Sequence, residues 1–474
     1  MTSEFSASDA SAAPVKLSFW TKLAYGAGDM GTGMTTNLIA FSFLIFLTEV
    51  AGLNPLAAGT VLLIGKIWDA VNDPLVGWLS DRIQTRWGRR YPWILLSALP
   101  FGFTFALMWL VPSDDATVLF WYYVVTSVLF QIFFTTANLP YSTLTAELSR
   151  DYDERTDLTS FRLGFSLLGA ILGLALGFWI TSVIANTRLQ YLALGGVAGL
   201  LSILPLIICV FGTYPHAQRL QAIAAAAPVP QSEAEPEIPF VEQLLIVVSN
   251  VPFLYIIGIY LCAWLALQIT ASIIPFYSTL WMGLDNYFLP AILVQGTAIP
   301  MMLPCNLLSR RIGKKGLFYM GIGVWLIVQI GLFFLQPGQT GLLYFLCVVA
   351  SFGVATAYIV PWAMLPDVIE LDELKTGKRR EGVFYAFMSL LQKMGLAGGL
   401  FLVGAALRWS GFVSEASSQP ASALLAIRLF MGPAPLVLLV CGLAVCYLYP
   451  ITRTVHEEIL MKLSEQRQNA DGSR

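Results

Sequence analysis

Twelve stretches of roughly 20 or more mostly apolar residues run from one end of this chain to the other, and few folds accept that pattern. They lie near 19–48, 56–82, 92–111, 117–143, 158–184, 190–213, 244–272, 287–308, 317–336, 340–366, 382–408 and 422–449. At about 1.5 Å per residue, each is long enough to cross a hydrocarbon core about 30 Å thick. In lipid every backbone polar group must be satisfied within the protein, which a helix of this length does by itself. Only 12% of the 474 residues are charged and mean hydropathy is +0.71, against the roughly 25% charged residues of a soluble domain. The expectation is an all-α membrane protein with twelve transmembrane helices and the lipid bilayer as its solvent.

Lysine and arginine set the orientation. With the N-terminus inside, 21 of the 27 basic residues fall in cytoplasmic segments, including Arg82, Arg86, Arg89 and Arg90, and later Arg310, Arg311, Lys314 and Lys315. Both termini are therefore expected in the cytoplasm of a multi-pass protein of the plasma (inner) membrane. The Ala-, Pro- and Glu-rich segment 214–241 reads as a linker. It divides residues 1–213, an N-terminal six-helix half, from residues 242–450, a C-terminal six-helix half, with 451–474 as a cytoplasmic tail. Each half carries a basic loop between its second and third spans, DRIQTRWGRR and SRRIGKKG, a weak internal repeat of the kind duplicated bundles show.

Several chemistries are disfavoured. The six cysteines sit inside apolar stretches with no CxxC pair, so neither a disulfide framework nor a thiolate metal site is expected. His216 and His456 are placed in loops, against a buried His-based metal or nucleophilic site. The chain is thus read as not an enzyme, with no cofactor, no nucleic-acid partner and no metal beyond a transported cation. Its polar start, MTSEFSASDASAAPVK, lacks a short apolar core, so no cleaved leader is expected.

The second span breaks the apolar pattern. KIWDAVNDPLVGWLSD places Lys66, Asp69 and Asp73 on one helical face, with the carboxylates a single turn apart. An ionised group at mid-bilayer costs on the order of 3 kcal/mol, so the face must look into a bundle or cavity and find partners there. The functional reading is a cation site, since hard cations want several oxygen ligands. The bland reading is an ion pair fastening helices together, which offsets its desolvation poorly. Asp29, deep in span 1 beside the glycines of GAGDMGTG, is either a substrate or ion ligand or a pairing residue. Asn138, Tyr141, Gln131 and Gln268 offer uncharged polar groups, each a candidate solute contact or merely a helix-to-helix hydrogen bond. Asp81 with Arg82, Arg89 and Arg90, and Glu147 with Arg150 and Arg155, are expected as exposed pairs that close a cytoplasmic gate between the halves when the cavity faces out, with Asp367 doing likewise in the other half; the bland reading is a solvated charge run.

GWLSDRIQTRWGRR resembles the loop 2–3 signature of the major facilitator superfamily. With KIWDAVNDPLVGWLSD before it and RRYPWIL after it, the chain is similar to the glycoside-pentoside-hexuronide:cation symporter family, whose best-known member is melibiose permease. YGAGDMG, ANLPYSTLTAELSRDYDERTDLTSFR and PWAMLPDVIELDEL extend the likeness over nearly the whole chain. NLPYSTLTAELS, VPWAMLPDVIELDELK and YPITRTVHEEI also look like the sodium-dependent lysophosphatidylcholine symporters. The resemblance implies the major facilitator fold and alternating access. It further implies that Na⁺ (or H⁺ or Li⁺) at Asp69 and Asp73 drives uptake of a small solute, most simply a sugar or glycoside. A lysophospholipid importer, or an ion-independent uniporter or flippase, are the alternatives. It also assigns coupling roles to Arg162 and Lys393, the latter pairing with the helix II carboxylates across the halves, and a monomer as the working unit. Where melibiose permease holds its sugar with two aspartates and an aromatic ring, this chain has Gly33, Asn138 and Ser142. Gly33 is expected to leave room on the cavity side, and Tyr141 stands beside the missing ring as a substitute.

Overall fold

The computed structural model describes residues 17–83, 85–149, 151–226, 240–377, 380–414, 416 and 418–472. The middle of the segment read as a linker, 227–239, lies outside the described residues. Apart from one isolated bridge between Thr85 and Gly88, regular structure among the described residues is helical. The first set of helices is α1 (Phe19–Glu49), α2 (Pro55–Arg82), α3 (Tyr91–Leu107), α4 (Ala116–Leu148), α5 (Tyr152–Val183) and α6 (Thr187–Ala226). The second is α7 (Val251–Trp281), α8 and α9 (288–312 and 314–334), α10 (Thr340–Thr376), α11 (Glu381–Trp409) and α12 (Ala421–Leu448). A last helix, α13 (Arg453–Gly472), follows them.

Nine helices among the described residues are long and apolar enough to cross a membrane, counting Phe288–Phe334 as one. Gly313, at φ +77°, divides that stretch into α8 and α9, a conformation an L side chain adopts only with strain. The charge-bearing α2 and the shorter α3 complete twelve crossings. Helix starts follow local chemistry. Asn54 caps α2 ahead of Pro55, Asp115 accepts from the Thr117 and Val118 amides of α4, and Asp151 accepts from the Glu154 amide of α5. A π-helical turn lies one turn before the end of α1 (Ile39–Phe43) and another forms the last turn of α7 (Tyr277–Trp281).

Within the first set α1 packs on α5 and α6, and α3 on α4 and α6; within the second α7 packs on α11 and α12, and α10 on the α8–α9 pair. The sets are joined at one end. There Tyr191 and Tyr287 share a hydroxyl hydrogen bond of 3.0 Å, Asn286 donates to Thr181 at 2.6 Å, and Ser414 donates to the Leu53 carbonyl at 3.2 Å. Beside them α11 rests on α2 so closely that a Cβ at Gly404 would lie 2.4 Å from the Pro55 carbonyl oxygen. Below this seam, at mid-depth, lie the charges of α2.

Two placements depart from expectation. His456 is in the first turn of α13, a separate amphipathic helix with Ile459 and Leu463 buried, and His216 lies within α6, which runs on past its apolar residues to Ala226. The loop-end charges pair within a set: Arg90 bonds Asp81 and lies 3.4 Å from Glu147, Arg89 is 3.5 Å from Glu147, and Lys314 donates to Asp367 at 2.6 Å. Arg82 lies over the Trp78 ring on its own helix. These contacts brace each set, and Asp81 with Arg90 is one of the loop-end pairs read from the sequence.

Candidate functional site

The centre of the molecule holds a cavity of about 420 Å³ between the two sets. Lys66, Asp69, Asn138, Arg162, Gln268 and Lys393, all picked out in the sequence, line it.

The charged pole is built on α2. Asp69 is fully buried; Lys66, one turn before it, places its ammonium 3.5 Å from Asp69 Oδ2 and 5.6 Å from the centre of the Phe134 ring. From α11, Lys393 donates to Asp73 Oδ2 at 2.5 Å and lies 3.1 Å from Asp69 Oδ2. From α4, the Thr135 hydroxyl sits 3.0 Å from Asp69 Oδ1 and 3.2 Å from Asp73 Oδ1, so it donates to one carboxylate at a time. Asn72 Nδ2 donates to the Gln131 carbonyl at 3.4 Å, tying α2 to α4 just beside this group. Two carboxylates and a hydroxyl thus converge on one point, supplying several oxygens of the kind hard cations bind. The ammonium of Lys393 bridges the Oδ2 atoms of the same two carboxylates, opposite the Oδ1 atoms that Thr135 meets. Two acids and two lysines balance in charge, which is what a low-dielectric site demands of resident ions.

A second group of charges sits on α1 and α5, where Arg162 lines the cavity. Asp29 is buried beside Arg162, Ser166 and Thr32, and Arg162 also faces Tyr25. Among the described residues, the Arg162 Nε has no hydrogen-bond partner although it is enclosed, and neither has the Asn37 Oδ1 that shares the cavity wall. Unmet polar groups of this kind are where a solute's polar atoms gain most.

The remaining wall is different in kind. Trp264, Ile274, Trp325, Leu332, Cys347 and Met431 carry the cavity into the interior of the second set. Polar groups on that side, Gln295 and Tyr358, bond each other at 3.4 Å. The result is a two-ended site, charged and polar at the end where α2, α5 and α11 meet and apolar deeper in the second set.

Other sequence candidates fall elsewhere. Tyr141 is fully buried, donates to the Tyr25 carbonyl at 2.7 Å and stacks on the Tyr25 ring, so it packs α4 on α1 and does not line the cavity. Gly33 does not leave room for a carboxylate: a Cβ there would lie 1.9 Å from the Ser166 carbonyl oxygen, because α1 and α5 touch at that point. Ser142 bonds the Leu139 carbonyl of its own helix. Thr135, Asn37 and Trp264 were not singled out in the sequence; only Thr135 carried a usable signal, lying on α4 one turn from Gln131.

A two-set bundle of twelve crossings around one central, partly charged cavity defines a membrane transporter of the major facilitator fold. The chain belongs to the MFS/sugar transport protein family, which matches residues 24–453. It is 41% identical to an uncharacterized symporter, sll1374, of Synechocystis sp., over 96% of this chain and 98% of the relative. It is 27% identical to sodium-dependent lysophosphatidylcholine symporter 1 of Gallus gallus, covering 97% and 91%. Among solved structures, a D-xylose-proton symporter superposes with a TM-score of 0.62 at 16% identity, covering 91% of this chain and 97% of that one, which speaks to the fold. The protein is a multi-pass transporter and not an enzyme.

Proposed function

We propose that this transporter is a secondary active symporter in which Na⁺, bound at Asp69, Asp73 and Thr135, enters together with an organic solute. The observation that carries the reading is the seat of Lys393, whose ammonium lies 2.5 and 3.1 Å from the two carboxylates and so joins the sets. Na⁺ arriving at the same oxygens competes with Lys393 and releases one tie between α2 and α11. Ion binding is thereby linked to the rocking of one set on the other, since a ligand shifts only an equilibrium whose states it binds unequally. H⁺ or Li⁺ would act through the same carboxylates. With basic loops inside and both termini cytoplasmic, the sealed seam at Gly404 faces outward and the cavity opens inward, in a plasma (inner) membrane. The chain works as a monomer, because both ion and solute groups come from one copy.

The solute we assign is amphiphilic. Arg162, Asn138, Asn37 and Gln268 hold its polar or anionic end, and the apolar arm past Trp325 takes its tail. A lysophospholipid fits this description, as does a glycoside with an apolar aglycone. A free sugar is the second reading, favoured by the family's description and by the aromatic rings of Trp264 and Trp325 in the wall. The test is uptake into proteoliposomes under an imposed Na⁺ gradient, comparing labelled lysophospholipid, alkyl glycoside and free sugar. Uptake of an amphiphile that collapses when the gradient is removed supports the assignment; gradient-independent uptake of every solute overturns it.

A further inference from the structure

Away from the cavity, the tail helix α13 packs on α10, and one of its side chains reaches two acids of that helix. His456 Nε2 lies 2.6 Å from Glu370 Oε2 and 3.4 Å from Asp367 Oδ1. Asp367 and Glu370 are three residues apart on α10 and so share a helical face. One ligand atom from each of the three side chains falls within 4.8 Å of the others. Tetrahedral zinc, about 2.1 Å from each ligand, needs donor atoms roughly 3.4 Å apart, so the set closes on a metal with shifts under about 1 Å. Asp367 and His456 line an adjoining cavity of about 750 Å³, which supplies an entry path, and Glu370 beside them is partly exposed.

We infer that Asp367, Glu370 and His456 form a site for a borderline divalent metal ion of the Zn²⁺ class. Imidazole with two carboxylates suits Zn²⁺, Co²⁺ or Ni²⁺ rather than Mg²⁺ or Ca²⁺, which prefer oxygen alone. Charge balance points the same way. Lys314 Nζ lies 2.6 and 2.8 Å from the two Asp367 oxygens and is the cation that now offsets this acid. The neighbouring cations are turned elsewhere: Lys315 donates to the Tyr449 carbonyl at 2.7 Å, and Arg453 to Glu457 and to the Arg310 carbonyl, each at 3.1 Å. A divalent ion replacing Lys314 would neutralise both carboxylates and bolt α13 to α10, fixing the tail to the second set.

The competition makes the test directional. Full-length protein, stripped of metal by chelator, is titrated with Zn²⁺ by calorimetry and with Co²⁺ by visible absorption. One equivalent should bind, with excess Mg²⁺ not competing. His456→Gln should abolish binding, whereas His456→Cys, which keeps a zinc ligand, should retain it. Lys314→Gln should tighten binding about tenfold or more by removing the resident cation. No Zn²⁺ bound to the wild type, equal binding by His456→Gln, or weaker binding by Lys314→Gln would each overturn the site. Chain integrity is read from the thermal midpoint of each variant without metal, and His456→Cys guards against a His456→Gln variant that fails to fold.

Discussion

Lys393 and Asp73, 320 positions apart and on helices of opposite sets, make a 2.5 Å charge-assisted hydrogen bond at the depth where lipid would surround a lone helix. Neither charge is stable there without the other, because an unpartnered ion inside the bundle costs several kcal/mol. The bond is also one the proposed cycle must break, which makes it both a fastening and a switch.

Lys393→Ala should therefore separate two properties. Removing the ammonium leaves Asp69 and Asp73 mutually repelling and frees their oxygens, so Na⁺ affinity measured on purified protein should rise about tenfold or more, while coupled uptake falls toward background. Unchanged Na⁺ affinity together with wild-type uptake would remove Lys393 from the mechanism.

Asp69→Asn should do the reverse. The fully buried carboxylate loses its charge but keeps its shape and its contact with Thr135, so the protein should insert and fold while Na⁺-stimulated uptake is lost. Thr135→Val is the milder companion. It deletes one shared oxygen, worth about 1 kcal/mol, and should weaken Na⁺ binding by roughly five- to tenfold without abolishing transport. Equal Na⁺ stimulation in Asp69→Asn and wild type would refute the ion site.

How far the site could be read from sequence depended on contrast. Lys66, Asp69, Asp73 and Lys393 stand out because each is a charge inside an apolar run, and the fold brings all four together. Asn37, Trp264 and Gln295 have no such contrast: a neutral polar or aromatic residue in an apolar helix looks the same whether it faces a cavity or a neighbour. Gly33 and Tyr141 show the converse, since what fills the space beside them is a different helix. His456 was set in a loop because the apolar spans end near Tyr449, yet Ile459 and Leu463 are buried and draw the following residues into an amphipathic helix. The twelve crossings were legible in full, because length and hydropathy are local properties, whereas the seam that closes one end is made by residues far apart in the chain.

That seam offers a conformational test. Gly404 accepts no side chain against the Pro55 carbonyl, so Gly404→Val should push α11 off α2 and disfavour the state sealed at this end. With Cys introduced in place of Ser42 on α1, labelling by a membrane-impermeant thiol reagent from outside should increase, while uptake drops several-fold. No change in labelling would mean that the close approach is not what seals the site.

The two-ended cavity predicts that head and tail of the solute respond to different substitutions. Ala350 lies on the apolar wall contributed by α10, 5% exposed and beside Val354 and Trp325. Ala350→Phe should fill the arm without touching Asp69, Asp73 or Lys393, so Na⁺ binding should be intact. An amphiphile that inserts its tail there should then lose affinity in proportion to chain length, at about 0.8 kcal/mol per methylene no longer buried, or close to fourfold each. A short-chain analogue should be transported nearly as before. Arg162→Ala should show the opposite pattern, weakening every solute with an anionic head regardless of its tail, because the guanidinium whose Nε stands unmet is removed at the other end. The crossed comparison, chain-length series against both variants, decides between solutes. If Ala350→Phe impairs all solutes equally, or if a free sugar is the preferred cargo and ignores this substitution, the apolar arm is packing space and the tail assignment falls.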